Sequence, residues 1–378
     1  MTQRRKDETI EEARARHAAN RRRQRWEVKQ RTINAEGKVV SETQRPRPTL
    51  KPQKVAGPAT IKFTTTVYDR DGRPDRQFVR EEPEKVAREA LWNAISAELR
   101  KDLPPVEPIP APAPGDGAHL LTTYPVGDHH LGMLAWPPET GAPYDVAISE
   151  ALLTKAMTNL VARAPASDTA LIAILGDFFH YDSFDTVTPK GRNQLDSDTR
   201  YPKMIQAGLR VVHTAIRLAL QKHQDVHVIV ESGNHDPATS IFLALSLADK
   251  YADEPRVHID TSPRNCHYFI FGKVLLGTHH GDKIKGADLP MIMARDQAAA
   301  WGITEWRYWY VGHVHHADVK EIMGVLVETF GILAPGDAYS NEEGYRPVRM
   351  MKAITYHKDF GEVSRLIVNP QMLEAASA

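Results

Sequence analysis

Five short clusters of acidic, amide and imidazole side chains recur along the chain, each directly or shortly after an apolar run. They are Gly127-Asp128-His129-His130, Gly176-Asp177, Gly233-Asn234-His235-Asp236, Thr278-His279-His280-Gly281-Asp282 and Gly312-His313-Val314-His315-His316. Nine of the 17 histidines lie in or beside them: 129, 130, 180, 235, 279, 280, 313, 315 and 316. Carboxylate, imidazole and amide oxygen together suit borderline divalent cations such as Mn, Fe, Zn or Ni. The single cysteine, Cys266, excludes both a structural cysteine zinc site and an internal disulfide. So many ligands exceed what one tetrahedral ion takes. Two ions bridged by a carboxylate would use them, and paired metals roughly 3.5–4 Å apart serve phosphate-ester hydrolysis. Residues two apart on extended backbone project to one side. His313 therefore pairs with His315, and Asp128 with His130, while His316 and His129 point away.

The elements that must position these clusters follow from the apolar pattern. Leu120–Val126, Ala170–Leu175, Val226–Val230, Val274–Leu276 and Tyr308–Val311 read as short buried strands. Helical spacing falls between the earlier ones, over about 147–163, 200–222 and 239–251. The alternation predicts a layered α/β architecture. In such sheets ligands bind beyond the carboxyl ends of the strands, so the clusters are expected to converge on one crevice. From Val325 on, Gly324–Phe330, Arg349–His357 and Glu362–Val368 read as further strands.

The chain has 378 residues, with 48 Lys and Arg against 48 Asp and Glu. A balanced charge with 42% apolar residues excludes wholesale disorder and a globally basic nucleic-acid coat. One cysteine, no apolar leader in MTQRRKDETI and no long apolar run lead to the expectation of an intracellular, cytoplasmic protein with no membrane contact. Residues 1–58 read as a basic tail and linker. The first 30 hold ten Lys and Arg, including Arg21-Arg22-Arg23, against five acids. Residues 59–103 read as a small module: a hairpin turning at Asp71-Gly72, then a helix over Glu84–Leu99. Its expected use is a substrate or subunit contact, with a homodimer among the options. Residues 104–118 are a Pro-rich linker, and 119–370 form the main domain.

In their order, the five clusters resemble the calcineurin-like metallophosphoesterase superfamily. Its pattern is matched by Asp128-His129-His130, Gly176-Asp177, Gly233-Asn234-His235-Asp236, His280-Gly281 and Gly312-His313-Val314-His315, over about residues 124–316. The resemblance implies a four-layer α/β/β/α sandwich carrying two divalent ions, with Mn expected first and Fe, Zn or Ni as alternatives. Carried over by position, Asp128, His130 and His315 would hold one ion. Asn234, His280 and His313 would hold the other, and Asp177 would bridge both. His280 is preferred to His279 because the family histidine directly precedes glycine. His235 would face the phosphate as a catalytic residue, with Asp236 orienting and charging its imidazole.

Gly176-Asp177-Phe178-Phe179-His180 also resembles the double-strand-break repair nucleases, and the layout is similar to phage-encoded exonuclease-like members. The leading expectation is a DNA exonuclease or endonuclease whose partner, DNA, is met in the active-site cleft and by the basic tail. Two alternatives stand beside it. One is a phosphodiesterase or phosphatase for a small nucleotide or a phosphoprotein, since few residues follow His315 and net charge is zero. The other is a non-catalytic, metal-bound DNA-binding scaffold. Lys190, Arg192 and Arg200 in the polar insertion 183–203 could meet substrate phosphate or be solvated loop charges, and Trp306, Tyr308, Trp309 and Tyr310 could stack bases, with core packing of that strand as the favoured reading.

Overall fold

The computed structural model describes residues 26–33, 39–46, 60–68, 74–82, 108–113, 115–336, 344, 346 and 348–375. The chain divides into two compact units, Met1–Pro104 and Pro105–Ala378.

In the first unit β1 (Trp26–Ile33) pairs antiparallel with β2 (Val39–Pro46), and β3 (Thr60–Tyr68) with β4 (Pro74–Glu82). The second hairpin stands where the Asp71-Gly72 turn placed one. The first replaces part of the expected tail and linker. Its strands are rich in charged and amide residues, so no apolar alternation announces them. The helix expected over 84–99 lies outside the described residues.

The second unit is a sandwich of two sheets. The larger has the order β15-β14-β5-β6-β7-β8 and the smaller β12-β13-β11-β10-β9. In the larger, β5 (Leu120–Val126), β6 (Thr169–Ile174), β7 (Asp225–Val230) and β8 (Val257–Ile259) run parallel, and β14 (Met351–His357) and β15 (Gly361–Val368) return antiparallel. In the smaller, β10 (Val274–His279), β11 (Trp306–Val311) and β13 (Val325–Thr329) are parallel, flanked by antiparallel β9 (His267–Phe271) and β12 (Asp318–Ile322).

The strand period of two explains the layering. Leu171 and Ala173 of β6 meet Val274 and Leu276 of β10, Tyr308 and Tyr310 of β11, and Tyr356 of β14 in one buried core between the sheets. Trp309, Leu275, Val325 and Val327 face outward and are covered by α5 (Leu289–Asp296) and α6 (Ala298–Ile303). On the far side α2 (Val146–Arg163) packs on β14 and β15, and α3 (Tyr201–Leu220) and α4 (Thr239–Lys250) on β7. The result is the four-layer α/β/β/α order. Two short helices, α1 (Pro137–Thr140) and α7 (Pro370–Ala375), complete it. Each connection β5–α2–β6–α3–β7 is a parallel crossover, which forces the carboxyl ends of the three strands to one rim.

Buried charge ties the sheets together. Glu328 of β13 accepts from Lys352 of β14 at 2.6 Å and from both terminal nitrogens of Arg365 of β15 at 2.6 and 2.8 Å. The proline-rich leader is partly docked rather than a free spacer. Arg256 donates to the carbonyl of Ile109 at 2.9 Å, and the Gln224 amide to that of Pro112 at 2.8 Å. Among the described residues no helix is long and apolar enough to cross a membrane.

Candidate metal centre

Every cluster leaves the carboxyl end of a parallel strand: β5 precedes Asp128, β6 Asp177, β7 Asn234, β10 His280 and β11 His313. Backbone hydrogen bonds extend the ladders past the strand ends and set the depth of each loop. Leu175 N–H donates to Val126 at 2.9 Å, Glu231 to Ile174 at 2.8 Å and Gly312 to His280 at 2.9 Å. Below the rim, the buried Glu231 carboxylate accepts from Thr278 and from His267 Nδ1, clamping β7 to β9 and β10.

The side chains gather into two sets, each with its ligand atoms within 4.8 Å of one another: Asp128 with His130 and His315, and Asp177 with His280 and His313. In the first set His130 Nε2 and His315 Nε2 are 3.1 Å apart, and His315 Nε2 is 3.5 Å from Asp128 Oδ1. In the second His280 Nε2 lies 3.3 Å from Asp177 Oδ2 and 3.0 Å from Asn234 Oδ1. Its other nitrogen, Nδ1, donates to the Leu175 carbonyl at 2.9 Å, which leaves Nε2 as the atom it could offer a metal. Asp128, His130, Asp177 and His280 are buried, whereas Asn234, His235, His313 and His315 are half-exposed and form the open side.

The backbone at these positions is unusual. Six non-glycine residues have positive φ among the described ones, and four of them are His130 (47°), Asp177 (46°), His313 (71°) and His315 (56°). Left-handed backbone costs on the order of 1–3 kcal/mol at each such residue, and such strain gathers at functional sites. His313 and His315 thus reach the same cavity through two left-handed residues around exposed Val314, rather than by the strand alternation expected from sequence. Gly233 lies so close to Asp177 that a Cβ there would overlap its backbone nitrogen and Oδ1.

The electrostatics favour a cation. Burial opposes ionisation of Asp177, but the charge and hydrogen bond of His280, with His235 and His130 nearby, hold its carboxyl below the usual range. Burial likewise opposes a charged His280, yet Asp177 and Asp128 lift it to about 10. Asp177 and Asp128 thus put negative charge beside His280, as a cation site needs, whereas burial and neighbouring imidazoles hold His130 and His313 below the usual range. The donors are oxygen and nitrogen only; Cys266 lies in the core beneath α5 and α6. The residues present therefore fit two borderline divalent ions.

The other sequence expectations divide. The His129 ring stacks on buried Phe178, with centroids 5.3 Å apart, and His279 Nδ1 accepts from Gly281 N–H at 2.8 Å; neither belongs to a ligand set. His316 is exposed. His235 is in the site, its Nδ1 donating to the His180 carbonyl at 2.8 Å. No hydrogen bond joins Asp236 to the His235 ring among the described residues. Asp236 instead accepts from the backbone N–H groups of Asp177 (3.2 Å), Phe179 (3.0 Å) and Gly233 (3.0 Å), fastening the β6 and β7 loops to each other. Burial and the neighbouring Asp177 charge push its pKa up to about 7. Trp309, Tyr310 and Tyr308 are core residues and cannot stack on a base. Lys190, Arg192 and Arg200 are exposed, with Arg192 paired to Asp185 at 3.1 Å.

Sequence reasoning assigned no role to two residues that the structure places here. His180 is 1% exposed and stacks on His235. Asp182 accepts from Thr239 N–H at 2.7 Å and so caps α4, the helix that follows the His235 loop. The signal for both was the unbroken run from Asp177 to Asp182, which buries Phe178 and Phe179 completely as anchors.

No protein-family model and no curated protein matches the chain. Several solved structures align with it at low similarity. An archaeal phosphodiesterase aligns at 12% identity over 65% of this chain and 99% of its own, with a TM-score of 0.33. Vacuolar protein sorting 29 of Cryptosporidium parvum aligns at 12% identity over 66% and 96%, with a TM-score of 0.30. A conserved Streptococcus pneumoniae protein described as a predicted phosphoesterase aligns at 10% identity over 66% and 98%, with a TM-score of 0.28.

Proposed function

We propose that the chain is a binuclear-metal phosphoesterase that hydrolyses phosphodiester bonds, with DNA as the leading substrate. The observation that carries this reading is the convergence of Asp128, His130 and His315 with Asp177, His280 and His313 on one strained, negatively polarised rim. Asp128, His130 and His315 would hold one ion and Asn234, His280 and His313 the other, with Asp177 between them. When bound, the two ions supply Lewis-acid charge for the phosphoryl oxygens and a water of lowered pKa.

The protein's own groups do the rest. The half-exposed side of the cavity admits the ester, while the buried carboxylates keep the ligands fixed. His235 is held by its Nδ1–H on the His180 carbonyl, and by its own N–H on Asp177 Oδ1 at 2.7 Å. Protonated at Nε2, it donates to the leaving oxygen and returns to the neutral Nδ1–H form.

DNA is favoured by the motif resemblance of Gly176–His180 and by the Arg21–Arg23 run. A smaller ester is the second reading, because the chain as a whole carries no net charge that would draw it to DNA. A substrate panel with added Mn decides. Nucleotide release from DNA, abolished in Asp177→Ala, supports the nuclease. Turnover confined to a generic diester such as bis-p-nitrophenyl phosphate moves the assignment to a small substrate, and hydrolysis of no ester removes the enzyme reading.

A further inference from the structure

We propose that His180 is a positioning residue that fixes which ring nitrogen of His130 faces the first ligand set. The inference rests on the reading of Asp128, His130 and His315 as ligands. His130 Nε2 is the atom turned toward His315 Nε2, at 3.1 Å. An imidazole lends Nε2 to a cation only when its proton sits on Nδ1, and that N–H then needs an acceptor. His130 Nδ1 lies 3.3 Å from His180 Nδ1. Two facing nitrogens share one proton; with His130 as an Nε2 ligand that proton belongs to His130 Nδ1 and His180 Nδ1 accepts it, which puts the His180 proton on its buried Nε2.

The backbone explains why His180 is found there. His130 N–H donates to the Asp177 carbonyl at 3.0 Å, Leu131 to Phe178 at 2.8 Å, and His180 back to Leu131 at 3.0 Å. This short zipper joins the loop after β5 to the loop after β6 and sets the two rings edge to face, with centroids 5.3 Å apart. The same residue serves the second imidazole of the site: its carbonyl receives His235 Nδ1–H, and its ring stacks on His235 at 5.5 Å and 21°. His180 is 1% exposed, so water does not readily replace it, and its loss leaves the His130 donor buried without an acceptor.

The test is Mn binding by the full chain, measured by calorimetric titration for the native protein, His180→Ala and His180→Asn, with far-ultraviolet circular dichroism as the check of fold. The native protein is expected to bind two equivalents. His180→Ala keeps two but binds one of them roughly 10- to 100-fold more weakly. His180→Asn, whose side-chain oxygen accepts in place of Nδ1, recovers most of that loss. In the Zn-loaded protein, nitrogen–proton correlation spectra should show His130 as an exchange-protected Nδ1–H tautomer, with the protection lost in His180→Ala. Unchanged affinity for both equivalents in a folded His180→Ala overturns the inference. So does a third equivalent in the native protein that His180→Ala removes, because His130, His180 and His235 also lie within ligand distance of one another and His180 would then be a ligand itself. A native protein that binds no metal overturns the metal reading first, and this inference with it.

Discussion

Asp177 meets three demands with one carboxylate: Oδ2 faces His280, Oδ1 receives the His235 N–H, and its left-handed backbone turns it into the cavity. The neighbouring Asp236 is a carboxylate turned to backbone donors. A carboxylate beside a histidine reads as its partner, yet three backbone donors claim it, because loops so tightly bent leave N–H groups that only a buried acceptor can satisfy. If His235 is a general acid and not a ligand, its role is separable from metal binding, since its ring nitrogen Nδ1 is held by the His180 carbonyl and its backbone N–H by Asp177. His235→Ala is expected to lower kcat by about 10²–10⁴-fold, the usual worth of a general acid, while titration still finds two bound equivalents. Loss of metal in that variant would make His235 a ligand.

Between elements, buried polar networks set how the two sheets meet. Glu328 neutralises Lys352, which is 6% exposed, and holds Arg365 bidentate. Glu328→Gln keeps the shape but leaves that charge unpaired, and is expected to cost about 3–5 kcal/mol in urea unfolding. A second network lies under the helices. His223 Nδ1 donates to the Ser167 carbonyl at 2.7 Å, and Nε2 accepts from Tyr124 Oη at 2.8 Å. Burial lowers its pKa to about 4 against an ordinary 6.5. Between those two values the unfolded chain binds a proton that the folded chain does not, so stability falls as pH drops from about 6.5 toward 4. Unfolding free energies from urea titrations at pH 7, 5.5 and 4.5 should decline by up to about 3 kcal/mol from this group. His223→Gln should flatten that decline, and an equal slope in the variant would exclude His223 as its source.

At the scale of the whole molecule, an α/β unit that carries the site follows a first unit whose described strands are two hairpins. The charge is balanced overall, but residues 1–30 are distinctly basic. If DNA is the substrate, deleting 1–30 should weaken DNA binding and flatten the fall of log affinity with log salt. Each phosphate that the arm no longer neutralises takes about 0.9 off that slope on duplex DNA. Turnover of a small diester should be untouched. An unchanged salt slope would leave the arm without a nucleic-acid role.

The parallel strands of the site, and the clusters that follow them, were legible in the amino-acid order. Runs such as TALIAI are apolar on both faces because both faces are buried, and the Gly-Asp, Gly-Asn-His-Asp and Gly-His-x-His stretches interrupt them abruptly. The same logic failed for β12, a charged edge strand, for the three-residue β8 and for the paired strands β1 and β2, whose sequences show no apolar alternation. Three outcomes came from the folded arrangement alone: which nitrogen each imidazole presents, that Asp236 serves backbone donors, and that His180 stands behind His130. They depend on left-handed turns and on hydrogen bonds between distant loops. His180 and His130 are 50 residues apart in the chain, and Asp236 and Asp177 are 59 apart, so no local pattern encodes such partners.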